Sequence, residues 1–207
     1  MPYNKKAWQR RLAERSDLST QVVHLTRDAG SLKLVDVLYS ILSDGKIKGS
    51  STQGGFICGK TPAVCFQDAP LPAVCQNVFF EQKYSEAIKG AKTRYRATGL
   101  AFPKDYAFRK GARPVVYDKT SEAKAYLPVD QHWRIVNFDL SDADAIIDWT
   151  HEREWRSPGD FTFDVSEATL LFVNSATYKA FLKKCKENRT NFVEQARGVV
   201  VMDNLLY

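Results

Sequence analysis

Two carboxylates stand two residues apart in His151-Glu152-Arg153-Glu154-Trp155, with Arg156 following and Trp149 just before. On an extended strand that spacing sends Glu152 and Glu154 to one face. Two like charges on one face repel unless something uses them. One use is a cleft that binds a sugar or stabilises a cationic transition state. The plainer alternative is a solvated strand whose glutamates pair with Arg153 or Arg156. In the alternating pattern Arg153, Trp149 and Trp155 lie on the opposite face, where the tryptophans pack into a core.

A second candidate is His24, near the end of an apolar run, with Thr26 on the same face of the strand. Strand ends that face a cleft often carry ligand contacts. The plainer alternative is a histidine satisfied by a backbone carbonyl. His24, His132 and His151 are too scattered to argue for a metal. Cys58, Cys65, Cys75 and Cys185 lack the close pair spacing of a zinc knuckle. They predict free thiols in a reduced, cytoplasmic protein. The phosphate loop, dinucleotide fingerprint, nucleophile elbow and HExxH motif are all missing.

The elements that must position these residues follow from periodicity. Residues 3–16 read as a basic helix with Trp8 and Leu12 on one side, and residues 1–18 as a basic extension. Residues 19–207 then form a single α+β domain. Strands are expected at Gln21–Thr26, Ala63–Phe66, Leu100–Phe102, Val115–Tyr117, Trp133–Phe138, the Glu152/Glu154 segment, Thr169–Val173 and Val199–Met202. Helices are expected from Leu32 to Leu42, from Ala73 to Ile88 and after a Ser175 cap, with a short one from Ser141 to Ile147. Asp44-Gly45 stops the first of these. Gly49–Gly55 reads as a polar loop. Strands and helices do not alternate strictly, which disfavours a doubly wound parallel sheet. The sheet is expected to be curved and mixed or antiparallel.

The chain has 207 residues, 44% of them hydrophobic, which is enough for a real core. No apolar run is long enough to span a membrane. A net charge of +6 permits an anionic partner such as nucleic acid or a dinucleotide. The basic residues gather at Lys5–Arg15, Lys89–Arg96 and Lys179–Arg189.

The order of these parts resembles the ADP-ribosyltransferase superfamily. His24 in Val23-His24-Leu25-Thr26 looks like its first motif in DarT-type members, and Glu152-Arg153-Glu154 matches its late E-x-E literally. A narrower likeness spans residues 20–175. His24-Leu25-Thr26, Cys65-Phe66-Gln67-Asp68 with Pro70 and Leu71, Gly99-Leu100-Ala101-Phe102, Arg113-Pro114-Val115-Val116-Tyr117 and Glu152–Arg156 together look like AbiGi-type abortive-infection proteins. The resemblance implies a split, curved sheet that grips NAD as substrate, in anti-phage defence or a toxin system, with nucleic acid or protein as acceptor.

It further implies roles. Glu154 would sit beside the ribose cation, and Glu152 would position or deprotonate the acceptor. His24 and Thr26 would hold the adenosine-side ribose. Arg109 or Arg113 would pair with the pyrophosphate. Phe66 with Gln67, or Tyr117, would pack nicotinamide. Two other readings stay open: a metal-independent ribonuclease using His24 with His132 or His151, and a binding module without chemistry.

Overall fold

A computed structural model describes residues 2–54, 56–87 and 96–205. The elements in chain order are α1 (Lys5–Ala13), β1 (Gln21–Leu25), α2 (Leu34–Asp44), β2 (Lys46–Ile47), β3 (Ala63–Gln67) and α3 (Leu71–Ala87). Then come β4 (Gly99–Pro103), α4 (Lys104–Arg109), β5 (Arg113–Pro114), β6 (Val116–Asp118), α5 (Thr120–Tyr126) and β7 (Ile135–Asn137). The last are β8 (Glu154–Pro158), β9 (Phe161–Thr162), β10 (Thr169–Phe172), α6 (Ser175–Glu187), α7 (Phe192–Gln195) and β11 (Gly198–Val201).

Seven strands form one sheet in the order β11-β10-β4-β1-β3-β8-β5. Every pairing in it is antiparallel except β10 with β11. The mixed, largely antiparallel sheet expected from the irregular element order is therefore present. The strands alternate because both faces are covered. One face carries Val22, Phe66, Leu100, Phe102, Leu170 and Phe172 into a core closed by Leu38 and Leu42 of α2 and Phe181 of α6. The other carries Val23, Ala101 and Leu171 against Val74, Cys75 and Val78 of α3.

β1 and β3 meet at one paired position only, Val23 opposite Gln67. No further residues of β1 and β3 pair in the ladder. Ser50, from the loop after β2, bridges Ala63 at the far end of β3. Between those two points the carbonyl of Cys65 accepts from the His24 imidazole, Nδ1 to O at 2.9 Å.

Several local expectations change. Glu152 lies in a 3-10 turn (Thr150–Glu152), not on the strand. Arg153 has φ 46, in the left-handed region, and this kink ends the turn before β8 opens at Glu154. The alternation that would have aligned Glu152 with Glu154 is interrupted there. Residues 129–134 form 3-10 turns, so only Ile135–Asn137 is strand. The short helix expected from Ser141 to Ile147 is a looped turn closed by an Asp139–Ile147 bridge. Asn174, rather than Ser175, caps α6 by accepting from the Thr177 amide. α4 and α5 are helices that periodicity did not show, each too short to display it. Ile88, the expected end of the third helix, and positions 89–95 of a basic cluster lie outside the described residues.

Candidate functional site

β8 runs between β3 and β5, and its register fixes what gathers around Glu154. Gln67 pairs with Glu154 and Cys65 with Arg156. Cross-strand partners share a face, so Glu154, Arg156, Cys65 and Gln67 stand together on the side that carries Val23. Glu154 and Arg156 alternate onto that face as i and i+2. They form a two-pronged ion pair: Nε to Oε1 at 2.7 Å and Nη2 to Oε2 at 3.3 Å. Both are buried. The remaining guanidinium donors go to the carbonyls of Trp133 (2.9 Å), Ile135 (2.9 Å) and Phe56 (3.2 Å). The plainer alternative of a glutamate paired with Arg156 is thus realised, but inside the protein rather than on a solvated strand.

Tyr117, on β6, joins the cluster by accepting the Glu154 backbone amide at its hydroxyl, 2.7 Å away. Burial pushes the Tyr117 hydroxyl up to about 12, and the charges of Glu154 and Glu152 add to the rise. Burial likewise raises the Cys65 thiol, with Glu154 adding to the effect and Arg156 opposing it. That thiol is therefore held protonated and is a poor nucleophile. Glu152 is buried as well, and its charge reaches both Cys65 and Tyr117. The kink at Arg153 therefore still leaves the two glutamates in one electrostatic neighbourhood. Gln67 is 5% exposed, and its Oε1 is a buried acceptor with no hydrogen-bond partner.

His24 is held differently. It pairs with Leu100, a residue of the phenylalanine-rich face, and its ring contacts Phe66 edge-on at 5.9 Å. Glu154 belongs to the other face. The two candidate residues thus lie on opposite faces of the sheet, His24 at the β1–β3 junction and Glu154 one strand further along. A carbonyl acceptor at Nδ1 requires the proton there, which leaves Nε2 as an acceptor. Burial lowers the His24 pKa and keeps the ring neutral, against a smaller upward pull from Cys65.

The other expected site residues have separate placements. Thr26 is buried, and its hydroxyl donates to the Thr98 carbonyl at 3.1 Å. Phe66 is 1% exposed and packs against Phe102 and Phe161, so its ring faces belong to the core instead of a nicotinamide pocket. Arg109 is exposed and pairs with Asp105 at 3.0 Å. Arg113 folds over the Phe108 ring and donates to the Phe108 and Ala112 carbonyls. Neither arginine reaches the Glu154 cluster by a hydrogen bond. Arg153 donates to the Asp17 carbonyl, tying β8 to the segment after α1. Trp155 donates to Asp68 at 3.1 Å, and Lys104 pairs with the same carboxylate at 2.7 Å.

No hydrogen bond or ring contact joins any two of His24, His132 and His151. His132 is buried with Nε2 3.2 Å from the Leu127 carbonyl, and His151 is exposed beside Trp149. Among the described residues no group of three or more His, Cys, Asp or Glu is placed to hold a metal ion. No helix among them is long and apolar enough to cross a membrane.

Sequence reasoning named Gln67 beside Phe66 but placed neither Gln67 nor Cys65 next to Glu154 and Arg156. Their positions depend on the β3–β8 register, which joins segments almost ninety residues apart and leaves no local signal. Comparison of the chain with protein-family models, curated proteins and solved structures finds no match.

Proposed function

We propose that this protein is an NAD-consuming ADP-ribosyltransferase-like effector of the defence or toxin kind, with the dinucleotide bound at the β1–β3 junction. The observation that carries this reading is the position of His24. It stands at the β1–β3 junction, where the two strands share a single paired position, neutral, with its proton fixed on Nδ1 by Cys65 and Nε2 left to accept from a ribose hydroxyl. Glu154 lies on the opposite face one strand further along, with Glu152 buried in the turn before it.

In this reading the bond between nicotinamide nitrogen and ribose C1′ breaks, and nicotinamide leaves as a neutral base. Positive charge develops on the ribose, as in glycoside cleavage. Glu154, oriented by Arg156 and Tyr117, supplies negative charge beside it, an effect worth roughly 10²–10³ in rate. The acceptor, a nucleic acid or a protein, forms the new bond at C1′ and gives its proton to Glu152. Phe66 has no free ring face for nicotinamide, which leaves Tyr117 as the aromatic candidate. Arg109 and Arg113 stay with their present partners unless the pyrophosphate draws one of them away.

The test is nicotinamide release from NAD by the full chain and by Glu154→Gln, which retains an acceptor for Arg156. Release by wild type that falls about 100-fold or more in the variant supports the assignment. Equal release by a variant that folds normally removes Glu154 from the chemistry.

A second reading, a binding module without chemistry, has its own support. Arg156 already neutralises Glu154, and His24 faces the other side of the sheet. It expects no nicotinamide release from NAD by the wild-type protein and no protection of its fold by NAD.

A further inference from the structure

Gln67 closes β3 and pairs on both sides. It lies opposite Val23 of β1, the single β1–β3 pairing, and opposite Glu154 of β8. The residue therefore stands between the strand that carries His24 and the strand that carries Glu154. Its side chain is almost fully buried, yet its amide oxygen has no hydrogen-bond partner. A bare buried acceptor is costly and rare in folded proteins. The cluster around it is rich in acceptors and short of donors. The five N–H groups of Arg156 are all engaged, two with Glu154 and three with backbone carbonyls. The Tyr117 hydroxyl lies against the Glu154 amide, and the Cys65 thiol hydrogen-bonds with the Glu154 carboxylate. Tyr117 and Cys65 are only partly buried, so the cluster has an edge that a ligand can reach.

We infer that the Gln67 amide oxygen accepts from a ligand N–H group and that, on the proposed function, on which this inference rests, the group is the carboxamide of nicotinamide, so that Gln67 selects NAD against its carboxylate form. The chemistry of the cluster favours a neutral donor. A carboxamide offers two N–H groups and no charge. A carboxylate offers no donor and brings its charge against the Gln67 oxygen and against the glutamates, whose charges already reach Cys65 and Tyr117. A site built to hydrogen-bond one substrate group rejects the analogue that lacks it. The adenine amino group, the other N–H donor of NAD, lies at the His24 end in this reading.

The test compares three probes by the melting temperature of the full chain at neutral pH: NAD, nicotinic acid adenine dinucleotide, which carries a carboxylate in place of the carboxamide, and ADP-ribose, which lacks the pyridine ring. A ligand that binds the native state raises its melting temperature. Wild type needs about tenfold or more of the carboxylate form to match the rise given by NAD. Gln67→Met, close in size and without the acceptor, loses that preference and responds to ADP-ribose as wild type does. Equal protection of wild type by NAD and its carboxylate form overturns the inference, gives the Gln67 oxygen to an internal water, and leaves the dinucleotide site standing. Tighter binding of the carboxylate form means that Gln67 presents its NH₂ group and overturns it too. So does a Gln67→Met protein that keeps the full preference for NAD. No protection of wild type by any of the three probes removes the proposed function, and this inference with it.

Discussion

Arg156 grips Glu154 with two of its nitrogens while three backbone carbonyls take the remaining donors. The carbonyls come from the segments around Phe56, Trp133 and Ile135, so one guanidinium ties β8 to two other parts of the chain. A buried pair of this kind gains little over an apolar pair, because desolvation offsets the attraction. Its removal from one side is a different matter. Arg156→Met leaves a buried carboxylate unpaired and three carbonyls bare. We expect a loss of about 3–5 kcal/mol in urea unfolding. A loss below about 1 kcal/mol would mean that Glu154 is not buried with Arg156 in solution.

Tyr117→Phe removes only one oxygen, the acceptor of the Glu154 amide. A buried donor left unsatisfied costs roughly 1–3 kcal/mol. The same hydroxyl makes a pH prediction. It holds its proton up to about 12 in the folded protein, against an ordinary value of 10.0. Between those values the unfolded chain has lost the proton and the native protein has kept it. Stability therefore falls as pH rises from about 10 toward 12. The fall should be smaller in Tyr117→Phe, measured by unfolding across that range.

His24 works in the opposite direction. Burial holds its pKa below 6.5. As pH drops through 6.5, the unfolded chain gains a proton that the native protein refuses, so stability declines on the acid side. His24→Gln should flatten this decline relative to wild type. An identical pH profile for the two proteins would place the imidazole in water.

Gly99 lies opposite Leu25, the residue after His24. A Cβ there would meet the His24 carbonyl oxygen at 2.0 Å and the Leu25 Cα at 2.9 Å. Both are backbone atoms of β1 and cannot swing aside. Gly99→Ala should cost at least about 1–3 kcal/mol, the range for overpacking. It should also displace His24, read as a shift of its imidazole resonances. A variant as stable as wild type would contradict the close β1–β4 approach.

The strands that carry the core were legible because their residues are apolar and β-branched or aromatic. The stretches Val22-Val23, Val64–Phe66 and Leu100–Phe102 needed no tertiary information. α2 was readable from Leu32, Val35, Leu38, Tyr39 and Leu42 at helical spacing and from its glycine stop, where Gly45 takes φ 58. The Glu152–Glu154 segment misled because alternation assumes an unbroken strand. Arg153 takes a left-handed conformation that nothing in its residue type announces. Arg156 was visible as a partner for the glutamates, by its i+2 spacing from Glu154. The depth of burial was not, because it comes from the 3-10 turns around Trp133 and the loop at Phe56. Which faces His24 and Glu154 occupy follows from the single Val23–Gln67 pairing, a long-range fact with no trace in either local sequence.

The most direct measurement is the melting temperature of the full chain with rising NAD. A ligand that binds only the native state stabilises it by about 2.7 kcal/mol at one hundred times its dissociation constant. We predict a rise in melting temperature with NAD that His24→Ala abolishes and Glu154→Gln preserves. No rise at millimolar NAD, or an undiminished rise in His24→Ala, would contradict a dinucleotide site at the β1–β3 junction.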